Sequence, residues 1–121
     1  MALYLMLSKL TDKGRSTVKS HPERIREVNA EVESKGHKVV AQYALLGDYD
    51  FATVLNVPDN WHMSRLAMDL GARGTIETTT YPALRADEFI TMMKAEAEEQ
   101  EWQERDEIAA LNPDGRLTVK A

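Results

Sequence analysis

The first segment of the chain is apolar on both faces of a strand, and this feature constrains the fold most. In Ala2–Ser8 the odd positions are three leucines, whereas the even positions are Ala2, Tyr4, Met6 and Ser8. An apolar sheet face is stable only when something covers it, because exposed apolar area is unfavourable in water. The sequence therefore predicts helices on one face of this strand and another packing partner on its second face.

The rest of the chain alternates between helical and extended patterns. A capping box of Ser20 and Glu23 opens an amphipathic helix that is predicted to end at Gly36. Asp59 is placed to cap a second helix. The order β-α-β-β-α-β predicts an α+β, ferredoxin-like domain with a four-stranded antiparallel sheet. The predicted strands after the first are His37–Leu46, Tyr49–Val57 and Thr75–Tyr81.

Charge divides the chain into segments. The net charge is −5, but residues 1–86 carry eleven basic and ten acidic groups, whereas residues 87–111 carry nine acidic and two basic groups. We therefore expect a ferredoxin-like domain over 1–86, an acidic helix over 87–111 and a flexible tail over 112–121. A nearly neutral body with an acidic appendage argues against nucleic-acid binding, which needs clustered Lys and Arg.

The composition also limits the chemistry and the location. Cysteine is absent, which removes disulfides, thiolate catalysis and sulfur ligands for a metal. The apolar runs are far shorter than the ~20 residues of a transmembrane helix. Met1 leads into the first strand without a basic segment, so neither a signal peptide nor membrane insertion is expected. These features favour a cytoplasmic protein.

Three motifs resemble the GYD-domain family of small bacterial and archaeal proteins. They are the opening Tyr4–Thr11, the hairpin segment Gln42–Asp50 and the stretch Ala72–Thr75. The motif that names the family occurs here with one inserted residue, as Gly47-Asp48-Tyr49-Asp50, and the resemblance covers roughly residues 1–92. It implies a ferredoxin-like fold that pairs sheet to sheet, similar to dimeric α/β-barrel proteins.

The predicted topology supports self-association on physical grounds as well. A βαββαβ unit places its helices on one face of the sheet, and the other face here carries large apolar side chains. An exposed apolar sheet face usually marks an interaction site, and pairing with a second copy closes it symmetrically. We therefore expect a homodimer or a higher homo-oligomer that assembles through the sheet face.

Two loops are candidate binding sites. In the Gly47–Asp50 loop, Tyr49 and Asp50 could orient a ligand or a partner, although the same residues are also typical of a plain β-turn. Arg73 and the backbone around it could contact an anion, although Ala72–Thr75 is also typical of a helix terminator.

The last strand carries a candidate catalytic surface. Glu77, Thr79 and Tyr81 share one face of this strand, and Tyr4 is expected beside them, where Ser8, Gln42 or Thr53 could join the group. In a closed dimer cavity Glu77 could perform acid–base chemistry with Tyr81 and Tyr4, and Thr79 could bind the ligand. The alternative is that Glu77 forms an ion pair with an arginine and that the hydroxyl groups only favour the strand.

The remaining features give no strong chemical signal. His21, His37 and His62 show no metal-ligand spacing, so no metal and no cofactor is predicted. The acidic helix and the segment Gly115–Lys120 are candidate docking elements for a protein partner, although a solvated helix and a frayed end are the common outcomes.

These observations favour a non-catalytic accessory protein that is homo-oligomeric and binds a small molecule or a protein partner. No nucleophile–base pair, metal set or cofactor loop stands out in the sequence. The alternative is a cofactor-independent enzyme of the dimeric α/β-barrel kind, which would act on a small apolar substrate with Glu77, Tyr81 and Tyr4.

Overall fold

A computed structural model of the chain describes residues 1–109, with side chains described up to residue 100. The strands are β1 (Ala2–Leu10), β2 (Lys38–Ala44), β3 (Phe51–Val57) and β4 (Ile76–Ala83). The helices are α1 (Asp12–Ser20), α2 (Arg24–Ser34), α3 (Asn60–Ala72) and α4 (Ala86–Ala109).

The four strands form one antiparallel sheet in the order β2-β3-β1-β4. The apolar first strand is therefore central, and it pairs with β3 on one side and with β4 on the other. Leu5 of β1 lies opposite Val54 and Tyr81, which fixes the faces of all three strands. The predicted α+β fold with a four-stranded antiparallel sheet is confirmed.

The helices cover the even-numbered face of β1. Tyr4 and Met6 are buried there with Leu55 and Val57 of β3 and with apolar side chains of α2 and α3. The Tyr4 hydroxyl donates a hydrogen bond of 2.6 Å to Oδ1 of Asn60, the first residue of α3. This bond satisfies the only polar group of a buried aromatic side chain and ties the central strand to the helical layer.

The opposite face of the sheet carries the three leucines of β1, and within residues 1–83 no helix packs on it. We call this surface the open face. The strand register adds further residues to it, namely Lys9, Lys38, Ala41, Tyr43, Ala52, Val54, Asn56, Glu77, Thr79, Tyr81 and Ala83. Tyr43 and Tyr81 are 61% and 49% exposed, and the leucines are partly exposed.

The capping signals were right for α3 and wrong for α2. The Asp59 carboxylate accepts a hydrogen bond of 3.0 Å from the His62 backbone N–H, as predicted for an N-cap. Ser20 caps nothing, because it is the last residue of α1, and its hydroxyl donates to the Ser16 carbonyl at 2.9 Å. The segment after β1 thus forms a helix of its own, α1, and α2 begins only at Arg24.

The chain divides into two compact units, Met1–Ala83 and a second one that begins at Leu84. The second unit contains α4, whose first turn carries Asp87 and Glu88, where the helix dipole favours acidic side chains. Residues 110–121, which include the predicted tail and its candidate docking segment, lie outside the described residues. Among the described helices, none combines the length and the apolar character needed to cross a membrane.

Candidate functional site

A cavity of about 310 Å³ lies between the covered face of the sheet and the helices α1 and α2, and we call it the helix-side cavity. Its apolar lining residues are Met6, Leu10, Val18, Ile25, Val28, Val32, Val39, Phe51, Leu55, Leu70 and Ile76. Its polar and charged lining residues are Ser8, Lys13, Thr17, Arg24, Asn29, Gln42, Thr53, Arg73 and Thr75. A cavity of this size that combines an apolar lining with polar groups is typical of small-molecule sites.

A chain of three polar side chains crosses the cavity wall. Asn29 of α2 donates a hydrogen bond from Nδ2 to Oε1 of Gln42 at 2.7 Å, and Gln42 donates from Nε2 to the Thr53 hydroxyl at 3.1 Å. Thr53 is buried, with 2% of its surface exposed, so its hydroxyl needs this partner to offset the loss of water. The three side chains thus satisfy one another and join α2 to β2 and β3.

Charged side chains form a second chain from α2 to the end of α3. Nη2 of Arg73 lies 2.5 Å from Oε2 of Glu31, and Nη1 of Arg24 lies 3.4 Å from Oε1 of the same carboxylate and 3.2 Å from Oε2 of Glu27. The hydrogen bond from Arg73 lowers the pKa of Glu31 more than its partial burial raises it. Glu31 is therefore ionised at neutral pH.

The other terminal nitrogen of Arg73 has no such partner. Nη1 is buried, and none of the described residues accepts a hydrogen bond from it. Arg73 lines the helix-side cavity, and its side chain is 32% exposed, so the guanidinium reaches from the solvent-facing ion pair into the protein. Arg73 therefore contributes to the cavity lining a guanidinium group with one buried nitrogen that has no acceptor among the described residues.

The predicted catalytic group is divided between the two faces of the sheet. Glu77, Thr79 and Tyr81 lie opposite Lys9, Leu7 and Leu5 of β1 and so belong to the open face. Tyr4 lies on the covered face, where its hydroxyl is bound to Asn60. The expected grouping of Tyr4 with Glu77 and Tyr81 does not occur. Glu77 and Tyr81 pair with odd-numbered residues of β1, whereas Tyr4 is even-numbered, and odd- and even-numbered residues of a strand point to opposite faces of the sheet.

The Gly47–Asp50 loop is held by hydrogen bonds that centre on Asp50. The Asp50 carboxylate accepts a bond of 2.7 Å from the Leu10 N–H, and the Asp50 N–H donates to the Ser8 carbonyl at 2.8 Å. The Asp50 carbonyl accepts from the Leu45 N–H at 2.8 Å. This aspartate therefore ties the β2–β3 connection to the end of β1, while Tyr49 is partly buried beside it.

We expect the Asp50→Ala variant to lose about 1–3 kcal/mol of unfolding free energy, because the part-buried Leu10 N–H loses its acceptor. Urea unfolding followed by circular dichroism measures the loss. Asp48→Ala is the matched control, since it makes the same change at an exposed position in the same loop. Equal unfolding midpoints for the two variants would show that the Asp50 carboxylate contributes nothing to the fold.

The histidines lie apart from the helix-side cavity. His37 and His62 have ring centroids 6.4 Å apart and line a second cavity of about 270 Å³ with Lys35, Arg65, Leu66 and Asp69. Burial lowers the pKa of His37 and favours its neutral form. Among the described residues, no group of three or more His, Cys, Asp or Glu side chains is arranged to hold a metal ion.

The sequence held a signal for polar residues on the covered face of the sheet, although not for the cavity itself. Ser8 continues the alternation of the buried Tyr4 and Met6, and Thr53 continues that of Leu55 and Val57. Polar residues that lie on the same strand face as buried apolar residues indicate a polar site inside the protein. Ser8, with Gln42 or Thr53, was expected beside Glu77, but these residues line the helix-side cavity on the other face of the sheet, and Asn29 of α2 was missed.

The fold and the site together define a class of protein, a ferredoxin-like α+β domain with a cavity beneath its helices and an apolar sheet face on which no helix of residues 1–83 packs. The GYD domain family matches residues 4–93, so the chain belongs to this family, as its motifs predicted. The glutamine synthetase and cystathionine beta-lyase binding protein of Thermus thermophilus is 42% identical over 95 residues, which are 78% of this chain and 100% of that protein. No solved structure matches the chain.

Proposed function

We propose that this protein is a non-catalytic accessory protein that forms a homo-oligomer through its open face and binds enzyme partners. The apolar open face is the observation that carries the proposal. It is supported by the similarity to a protein whose name describes binding to two metabolic enzymes.

The composition of the open face favours a second copy of the chain as its cover. Three leucines form its centre, Val54 and Ala52 extend it over β3, and Tyr43 and Tyr81 flank it on the outer strands. Tyrosines at the edge of an apolar patch suit a protein interface, because the ring is buried while the hydroxyl stays near water. A symmetric pair buries the patch on both copies at once.

We assign partner binding to the GYD domain and not to the acidic helix. The match spans the whole length of the Thermus thermophilus protein, and residues 94–121 of this chain lie beyond the part that the family matches. A binding function common to both proteins would therefore use the shared domain. Docking through the acidic helix or the segment Gly115–Lys120 stays a separate prediction.

The enzyme alternative has no observation in its favour. It required Glu77, Tyr81 and Tyr4 to line one cavity, and the strand register separates Tyr4 from the other two. Glu77 lies opposite Lys9 on the open face and does not line the helix-side cavity. The accessory role does not require these three residues to lie in one cavity.

The open-face assignment predicts that Leu5→Glu converts the oligomer to monomers, because a buried, unpaired carboxylate at the centre of the interface is strongly unfavourable. Native mass spectrometry of the full chain measures the subunit number. Leu46→Glu is the matched control, since Leu46 is fully exposed in the β2–β3 loop, and it should leave the oligomer unchanged. A monomeric wild-type protein, or an oligomeric Leu5→Glu variant that is folded by circular dichroism, would contradict the assignment.

Partner binding is tested with purified glutamine synthetase and cystathionine beta-lyase from the same organism as the chain. Surface plasmon resonance with each immobilised enzyme should show saturable binding of the wild-type protein. A truncated chain that ends at residue 93 should bind as well as the full chain, provided that its circular dichroism spectrum shows a folded domain. No binding of the full chain to either enzyme would contradict the proposed partners.

A further inference from the structure

We propose that the helix-side cavity binds a small monocarboxylic acid, with the carboxylate on Arg73 and the hydrocarbon body among the apolar side chains beneath α2. The ligand site is distinct from the open face. Binding of the acid does not depend on the oligomer or on an enzyme partner, so it can fail or succeed independently of the function proposed above.

The unsatisfied nitrogen of Arg73 identifies the head group. A buried guanidinium donor without an acceptor is costly, and a carboxylate is the acceptor that matches its geometry and charge. Glu31 pairs with Nη2, whereas Nη1 is buried and has no acceptor among the described residues, so a ligand carboxylate that displaces the atoms covering Nη1 would supply one. The guanidinium can therefore bind the protein carboxylate and a ligand carboxylate at the same time.

The charges around the cavity favour a single negative charge on the ligand. Lys13, Arg24 and Arg73 line the cavity, whereas Glu27 and Glu31 form ion pairs with its two arginines. Three cations and two carboxylates leave one positive charge to balance. A monocarboxylate balances it, whereas a phosphate dianion would overcompensate it close to Glu31.

The remaining lining suits a hydrocarbon body. Val28 and Val32 of α2 face Leu55, Val39 and Phe51 of the sheet across the cavity. Asn29, Gln42 and Thr53 in the wall are hydrogen-bonded to one another, so these three side chains do not depend on a polar ligand group. Contact with these side chains would remove apolar area of the ligand from water.

The size of the cavity limits the length of the acid. A volume of 310 Å³ holds roughly ten water-sized groups. Octanoate, with about ten non-hydrogen atoms, is therefore a suitable probe. Octanol has nearly the same body without the charge and serves as the matched ligand control.

The test is isothermal titration calorimetry of the full chain with octanoate and octanol, with methyl NMR spectra to locate the contact. We expect octanoate to bind about tenfold to a hundredfold more tightly than octanol, and to shift the Val28 and Leu55 methyl signals. Equal affinities for the two ligands would overturn the head-group assignment. Absence of binding by either ligand, or shifts confined to other methyl groups, would overturn the site.

Two variants separate a binding role of Arg73 from a structural one. Arg73→Met should weaken octanoate binding about tenfold or more and leave octanol binding unchanged. Glu31→Gln breaks the same ion pair but frees the guanidinium, so it should bind octanoate at least as tightly as the wild type. Arg73→Lys keeps the charge and should bind better than Arg73→Met. Equal weakening by Arg73→Met and Glu31→Gln would show that the ion pair only shapes the fold and would overturn the proposal.

Discussion

Replacing Gly14 with alanine is expected to destabilise the domain by about 3 kcal/mol or more, because the added methyl group meets a backbone carbonyl. A Cβ atom at this position would lie 2.0 Å from the Thr75 carbonyl oxygen and 3.0 Å from its carbon. That same oxygen accepts a hydrogen bond of 3.0 Å from the Thr11 N–H. Relief of the clash must move α1 away from the segment before β4 and lengthen this bond.

The measurement is thermal unfolding of the full chain, in which a loss of this size lowers the midpoint by more than about 10 °C. Gly71→Ala is the matched control, since it makes the same change in another helix, where a Cβ meets nothing within 4 Å. The control should gain up to about 1 kcal/mol, because alanine is the better helix former. A Gly14→Ala variant as stable as Gly71→Ala would show that α1 and Thr75 are not in contact.

This contact lies at the junction of two of the motifs that resemble the GYD family, those that contain Thr11 and Thr75. The Thr11 hydroxyl donates to the Gly74 carbonyl at 2.7 Å and accepts from the Gly14 N–H at 3.1 Å. The two motifs are thus joined by hydrogen bonds although they are far apart in sequence. The third motif joins them through Asp50, whose carboxylate binds the N–H of Leu10. Thr11, Thr75 and Asp50, one residue from each motif, therefore stabilise the fold at the β1–α1 junction.

The strands and α3 were predictable because their signals are local. Alternation identified both faces of β1, and Asp59 marked the start of α3 through a bond to a residue three positions away. The capping box at Ser20 failed for a physical reason. The sequence around it also continues a helix from Thr11, whose hydroxyl caps α1, so Ser20 becomes the end of one helix instead of the start of the next.

The grouping of site residues was less predictable because it depends on register between distant strands. Alternation shows that Glu77 and Tyr81 share a face, but only the pairing of Leu5 with Tyr81 shows that this face excludes Tyr4. A bulge between Val39 and Ala41 adds to the difficulty, because it changes the parity within β2 itself. No periodicity in the sequence indicates such a shift.

The helix-side cavity could not be predicted from any single segment. Its lining comes from every strand and from the helices α1, α2 and α3, so its volume depends on how far the helical layer stands from the sheet. Arg73 was expected to contact an anion through the loop at the end of α3. Because Arg73 pairs with Glu31 and lines the cavity, the anion is now expected in the cavity. The anion itself stays a prediction.

Leu55→Ala should be the most damaging change in the hydrophobic core, with an expected loss of about 3–5 kcal/mol of unfolding free energy. Leu55 is 1% exposed, belongs to the buried core with side chains of α2 and α3, and lines the helix-side cavity. The substitution removes the branched end of the leucine and its buried apolar area. Because Leu55 borders the cavity, few neighbouring atoms can move in to fill the space. The cost should therefore fall in the upper half of the range for buried leucines.

Thermal unfolding should show a midpoint roughly 10 °C or more below that of the wild type. Leu46→Ala removes the same atoms at a fully exposed position and should change the midpoint little. If the two variants unfold at the same temperature, Leu55 is not part of the core, and the face assignment of β3 is wrong. That outcome would also remove Thr53 from the cavity wall, because residues 53 and 55 share one face of the strand.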